Sequence, residues 1–151
     1  MDHSIKLIKQ PNRKDPEVPW GPLYNMSREE LIILQKELTE LLDKNFIHVS
    51  SSSAAAPVLF IKKPGGGLRF CMDYQALNTL TKKDRYPLPL IHKTLNQVRR
   101  AKWFTKLNIS ITFHKIQITK GQEWLTAFRT QYRLFKWLIT PFRLANTPST
   151  F

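Results

Sequence analysis

Two β-prone runs, Pro57-Val58-Leu59-Phe60-Ile61-Lys62-Lys63 and Leu68-Arg69-Phe70-Cys71-Met72, are separated only by Pro64-Gly65-Gly66-Gly67. Glycine tolerates the positive φ that tight turns demand, so this spacing predicts an antiparallel hairpin. Three of the chain's five glycines are gathered in that one turn, so the tightest reversal of the chain is expected there. An isolated hairpin is barely stable in water, and the remaining elements must supply apolar surface for it to pack on.

The first such surface follows Ser27-Arg28-Glu29-Glu30, which has the form of a capping box. Leu31, Leu34, Leu38, Leu41 and Leu42 then recur at helical spacing, predicting an amphipathic helix over roughly 28–45 with Glu37, Glu40 and Asp43 on its polar face. Pro87 and Pro89 open a second expected helix, about 89–100, with Leu90, Ile91, Leu95 and Val98 directed inward. Strands are expected at 46–49, 103–107 and 115–118, with a turn or short helix near 110–113. A further hairpin is expected from 125–130 and 134–140. Pro141 closes it, and a helix begins near Ala145. Residues 1–26, punctuated by Pro11, Pro16, Pro19 and Pro22, read as an extended leader or linker. Strands and helices mix without a βαβ rhythm, which favours an α+β fold with a mostly antiparallel sheet and flanking helices.

Charge is distributed unevenly. Residues 1–57 carry seven basic and eight acidic side chains, whereas residues 58–151 carry seventeen and three. A half with net charge +14 is expected to bind polyanions through counterion release; a solvated basic face is the plainer alternative. Only Asp73, Asp84 and Glu123 remain as carboxylates after position 57, a poor supply for a hard dication. The single cysteine, Cys71, excludes a disulfide framework and a cysteine-rich zinc site. No run of 18 apolar residues occurs, so no membrane span is expected. The first residues lack a signal layout, and the expected setting is intracellular, cytoplasmic or nuclear not being resolved.

Several blocks stand in a recognisable order: Pro57 to Tyr74 with Leu77-Asn78, then Lys83-Asp84-Arg85-Tyr86-Pro87-Leu88-Pro89 and Phe104-Thr105-Lys106-Leu107-Asn108. Phe113-His114-Lys115-Ile116, Thr126-Ala127-Phe128, Pro141-Phe142 and Asn146-Thr147-Pro148-Ser149-Thr150-Phe151 follow. This series resembles the fingers and first palm segment of the reverse transcriptase of a gypsy-type LTR retrotransposon, part of a Pol polyprotein. Asp2-His3 and Trp20-Gly21-Pro22-Leu23-Tyr24 resemble the stretch just before that polymerase. The resemblance implies reverse-transcriptase-like fingers plus an incomplete palm over 27–151. It also implies primer-templated nucleotidyl transfer with two Mg²⁺ ions, on an RNA or DNA primer–template with a dNTP.

By the same resemblance, Lys63 and Arg69 fall where the fingers hairpin grips the triphosphate, ordinary strand-end charges being the alternative. Phe113 falls at the aromatic that screens the sugar 2′ position, Ile109 offers a backbone carbonyl to a metal, and Phe142 joins the nucleotide contacts. Asn108 stands where the family has its first metal-binding aspartate, which removes a charge and a carboxylate oxygen. The Tyr-x-Asp-Asp pair is expected beyond residue 151. Arg143 replaces a glycine of Pro-Phe-Gly-Leu, Thr112 a small residue, Gln75 an arginine and Thr147 an alanine. The chain is therefore expected to be catalytically dead by itself, to bind Mg²⁺ poorly, and to be marginally stable over 101–151. The alternatives are a residual nucleic-acid-binding module using 58–151, a fragment of a larger polyprotein, or a subunit completed by another polypeptide. In the binding alternative Trp103, Phe104, Trp124, Tyr132 and Trp137 would stack on bases, although strand positions favour the core for them.

Overall fold

The glycine-turned hairpin forms as its composition requires. β2 (Ala56–Lys62) and β3 (Leu68–Met72) pair antiparallel, with Phe60 opposite Phe70 and Lys62 opposite Leu68. Gly65, Gly66 and Gly67 all take positive φ, at 89°, 100° and 82°. A side chain at these positions would force each backbone into a strained region. The structure is a computed structural model, and it describes residues 2–9, 11, 16–85, 90–106 and 115–150.

α1 (Arg28–Asp43) begins at the expected capping box: Ser27 N–H donates to Glu30 Oε2 at 2.8 Å, and Glu30 N–H to Ser27 Oγ at 3.2 Å. Leu34, Leu38 and Leu41 are buried on one stripe, and the helix stops where Asn45 turns to φ 54°. β1 (Ile47–Val49), β4 (Phe128–Arg129) and β5 (Leu134–Trp137) join the hairpin in a five-stranded sheet of order β1-β5-β4-β2-β3. Three pairings are antiparallel, and β2–β4 is parallel, with Ala56 opposite Phe128. The sheet is thus mixed but mostly antiparallel, with helices flanking it in an α+β arrangement. α2 (Gln75–Leu80), α3 (Ile91–Val98) and the short α4 (Thr147–Thr150) complete the described elements. No described helix is long and apolar enough to cross a membrane.

Phe128, fully buried, sits at the centre of the core. Its ring lies 5.9 Å from Phe70, 5.8 Å from Phe135 and 5.9 Å from Trp137, and Phe60 extends the chain of rings at 6.0 Å from Phe70. Each such contact contributes about 0.5–1.5 kcal/mol beyond burial of its area. Tyr74, also fully buried, donates its hydroxyl to Thr126 O at 2.7 Å, and loss of solvent raises its pKa well above the usual value.

The described parts of the proline-rich segment, 2–9 and 16–26, are held by backbone contacts. His3 bridges Ile118, Leu7 bridges Thr81, and Trp20 bridges Ala55. His3 and Ile5 are buried, and Ile5 belongs to the core.

Four expectations need correction. The α3 stripe of Leu90, Ile91, Leu95 and Val98 is exposed, because helical spacing creates an apolar face but burial needs an opposing surface. Residues 103–106 form no strand, and Trp103 is 92% exposed; Leu107 lies outside the described residues, as does 110–113. The run 115–118 contributes only single-residue bridges, Gln117 to Ile139 and Ile118 to His3, since each neighbour lies on a different side. Glu123–Thr126 is a 3₁₀ turn rather than the start of a strand. There Trp137 N–H donates to the Thr126 hydroxyl at 3.0 Å, so a side chain replaces the carbonyl that a longer ladder would use.

Candidate functional site

The hairpin turn places cationic side chains close to where the strands separate. Lys63 N–H donates to Gly67 O at 2.9 Å and Lys63 O accepts from Gly66 N–H at 3.1 Å, so Lys63 is fixed at the base of the turn. Arg69 lies on the opposite strand, across from Ile61. Both side chains are exposed.

Lys63 and Arg69 line a cavity of about 560 Å³ together with Glu37 and Leu41 of α1, Leu68 and Phe70 to Met72 of β3, Trp137, and Phe142 with Arg143. That volume suits a small-molecule ligand. The structure therefore brings three of the residues singled out in the sequence, Lys63, Arg69 and Phe142, to one place. Asn108, Ile109 and Phe113 lie outside the described residues.

Two lining residues were not read from the sequence as parts of a site. Glu37 was assigned to the solvated face of α1, yet it stands one turn before Leu41, so i,i+4 spacing already placed the two together. In the sequence Arg143 signals only the loss of a glycine. In the structure it takes φ 69°, the left-handed backbone that glycine would supply, and the residue lines the cavity. The conformation is held from α2: Asn78 Nδ2 donates to Arg143 O at 2.8 Å, and Ala145 N–H donates to Asn78 Oδ1 at 2.8 Å.

The electrostatics of the lining are lopsided, with three cations, Lys63, Arg69 and Arg143, facing one carboxylate, Glu37. None of the three cations makes an ion pair among the described residues, where the one pair found is Lys44 with Glu40 at 3.7 Å. Cations without an ion pair among the described residues, beside apolar and aromatic walls, are chemically suited to an anion carrying a flat or apolar group.

Two of the three carboxylates of the basic half cap local turns. Asp73 Oδ1 accepts from Gln75 N–H at 3.0 Å at the start of α2, and Glu123 Oε2 accepts from Gly121 N–H at 2.7 Å. Among the described residues no three His, Cys, Asp or Glu side chains group closely enough to hold a metal ion. One carboxylate beside three cations does not suit Mg²⁺, which the neighbouring positive charges repel.

A second basic surface runs from α3 to Lys106. It carries Lys93, Arg99, Arg100, Lys102 and Lys106 with no acidic residue, and it exposes Trp103 and Phe104. Of the five aromatics weighed for base stacking, only Trp137 is buried in the core; Trp103, Phe104, Trp124 and Tyr132 reach solvent because their segments lie at sheet ends or outside the sheet.

Residues 61–151 match the family model described as reverse transcriptase (RNA-dependent DNA polymerase). The chain is 33% identical over 128 residues to the transposon Tf2-3 polyprotein of Schizosaccharomyces pombe, covering 85% of this chain and 10% of that one. The Tf2-7 polyprotein of the same organism matches to the same extent. The chain thus spans about a tenth of the length of the curated relatives it matches. Among solved structures, a mutant prototype foamy virus protease–reverse transcriptase superposes with a TM-score of 0.83 at 24% identity, covering 99% of this chain and 19% of that one. The foamy viral protease–reverse transcriptase in complex with dsDNA superposes with a TM-score of 0.72 at 21% identity, covering 99% and 28%.

Proposed function

Because this chain belongs to the reverse transcriptase family of RNA-dependent DNA polymerases, we propose that it is the nucleotide-gripping fingers and first palm segment of a retrotransposon polymerase, and that by itself it does not polymerise. The observation that carries the reading is the convergence of Lys63, Arg69 and Phe142 on one cavity. Lys63 places an ammonium on phosphate oxygens, and the Arg69 guanidinium adds a planar fork suited to two oxygens at once. Phe142 offers an apolar ring beside them. The glycine turn separates the two cations without a bulky side chain intervening. These groups bind and orient a dNTP; they do not cleave it.

Metal ions, when bound in a two-metal polymerase, stabilise the attacking and leaving oxygens. Asn108 offers an amide where the resemblance calls for the first aspartate, so the charge needed to hold such ions is reduced. Acting as a segment of a larger polyprotein is consistent with a chain that spans a tenth of its relatives.

Primer extension tests the reading. The purified chain is expected to incorporate no nucleotide with Mg²⁺ or Mn²⁺, and incorporation would overturn the inactive assignment. Equilibrium binding of dTTP is expected to weaken about tenfold in Lys63→Gln and Arg69→Gln.

A second reading, residual contact with a nucleic-acid backbone, is favoured by the basic surface of 93–106 and by foamy viral structural neighbours in complex with dsDNA and with an RNA/DNA hybrid. Affinity for a primer–template duplex should then fall steeply as salt rises, and an affinity indifferent to salt would exclude it.

A further inference from the structure

We infer that Arg143 is a third phosphate-binding cation of the cavity, and that it lets this chain hold a triphosphate without a divalent metal. The inference rests on the reading of the cavity as a nucleotide site.

Arg143 reaches the cavity from a segment far along the chain from the hairpin, and its backbone is positioned for that purpose. A non-glycine residue at φ 69° is strained, so the conformation persists only where its surroundings dictate it. Asn78 does so by clasping the turn on both sides, at Arg143 O and Ala145 N. Asn78 is itself anchored, its N–H donating to the carbonyl of fully buried Tyr74 at 2.8 Å. Arg143, exposed, thus extends from a turn held by side-chain hydrogen bonds, and it makes no ion pair among the described residues.

The charges then decide the ligand. Lys63, Arg69 and Arg143 against Glu37 leave the lining at net +2, the charge of one magnesium ion. A triphosphate carries three to four negative charges, part of which a bound dication commonly offsets. Here three cations, without an ion pair among the described residues, supply two net positive charges toward that neutralisation, and the same excess of positive charge repels a metal ion. A monoanionic ligand would leave the lining at net +1, so the match is to a ligand carrying at least two negative charges, as a polyphosphate does.

The test is binding of inorganic tripolyphosphate and of dTTP to the full chain by calorimetry, in EDTA and then with Mg²⁺. The intact chain should bind both in EDTA, and Mg²⁺ should not tighten binding. Arg143→Gln should weaken both ligands about tenfold, as expected for loss of a charge-assisted contact, and Arg143→Lys should recover part of that affinity. The thermal midpoint, measured alongside, should be the same in both variants. If Lys63→Gln and Arg69→Gln weaken binding while Arg143→Gln does not, the inference fails and the nucleotide reading stands. A requirement for Mg²⁺ also overturns it, as does equal loss in Arg143→Lys and Arg143→Gln. Absence of binding under every condition overturns both the inference and the nucleotide reading.

Discussion

The side-chain amide of Asn78 straddles the turn at Arg143, donating to the Arg143 carbonyl and receiving the Ala145 N–H, each at 2.8 Å. A side chain on α2 thus ties down the segment after β5. Asn146 repeats the device in the other direction, with Oδ1 accepting from Asp84 N–H and Nδ2 donating to Lys82 O, both at 2.8 Å. Together the two asparagines tie 143–146 to 78–84.

Breaking the first clasp should be measurable. Asn78→Ala removes two hydrogen bonds and is expected to cost about 1–3 kcal/mol in urea unfolding. Arg143→Gly should act oppositely, relieving the left-handed backbone for a gain of about 1 kcal/mol, because glycine adopts that conformation freely. The same substitution should weaken tripolyphosphate binding, so stability and affinity move in opposite directions. Parallel changes in both would show that Arg143 matters only to folding.

Phe128→Ala empties the centre of the ring cluster. Loss of a fully buried phenylalanine costs about 3–5 kcal/mol, a large share of a typical domain's stability. Denaturant unfolding should lose much of its midpoint, and the near-ultraviolet circular dichroism should flatten.

Gly21→Ala tests the seating of the leader. A Cβ at Gly21 would lie 2.5 Å from Pro57 Cδ and 3.0 Å from Ala55 O, neither of which is the end of a flexible side chain. Overpacking of this kind costs about 1–3 kcal/mol. The Gly21–Ala55 contact, a 2.7 Å N–H to carbonyl bond, should open, and limited proteolysis should cut the leader sooner.

His3 makes stability depend on pH. Burial lowers its pKa below the ordinary 6.5, partly opposed by a backbone hydrogen bond at Ala145. The folded state therefore resists protonation more than the unfolded one does. Its contribution is intact above pH 6.5 and is lost as pH falls through the lowered folded value. Thermal midpoints should drop over that interval, and His3→Gln should shrink the drop. An identical pH profile in the variant would remove His3 from the account.

The exposed stripe of α3 should be nearly silent in folding. Ile91 is 75% exposed, so Ile91→Gln is expected to change stability by no more than about 0.5 kcal/mol. Chemical unfolding of the variant checks this, and a cost near that of a core residue would show that the stripe is buried in solution.

Much of the architecture was legible where local chemistry is self-sufficient. Ser27 and Glu30 satisfy each other within one turn, and the glycines at 65–67 permit a reversal that other residues resist, so α1 and the β2–β3 hairpin appear where expected. The reading failed where neighbours decide. Nothing in Leu90, Ile91, Leu95 and Val98 says whether an apolar surface will face them. Nothing local reveals that the Thr126 hydroxyl will take the Trp137 N–H in place of a strand carbonyl. α2 also went unread, because Gln75 to Leu80 is too short for a helical period to stand out.

The candidate site divides along the same line. Lys63 and Arg69 were legible because they flank one local hairpin. Glu37 and Arg143 were not, since only the packing of α1 and the Asn78 clasp carry them to the same cavity. The amino-acid order by itself determined the hairpin, the capped helix, the excess of cations and the amide at position 108. Tertiary structure decided the parallel β2–β4 pairing and which of those cations face one another. The reason is physical: turns and caps are satisfied by residues a few positions apart, whereas a cavity's charge is the sum over segments that meet only after the chain has packed.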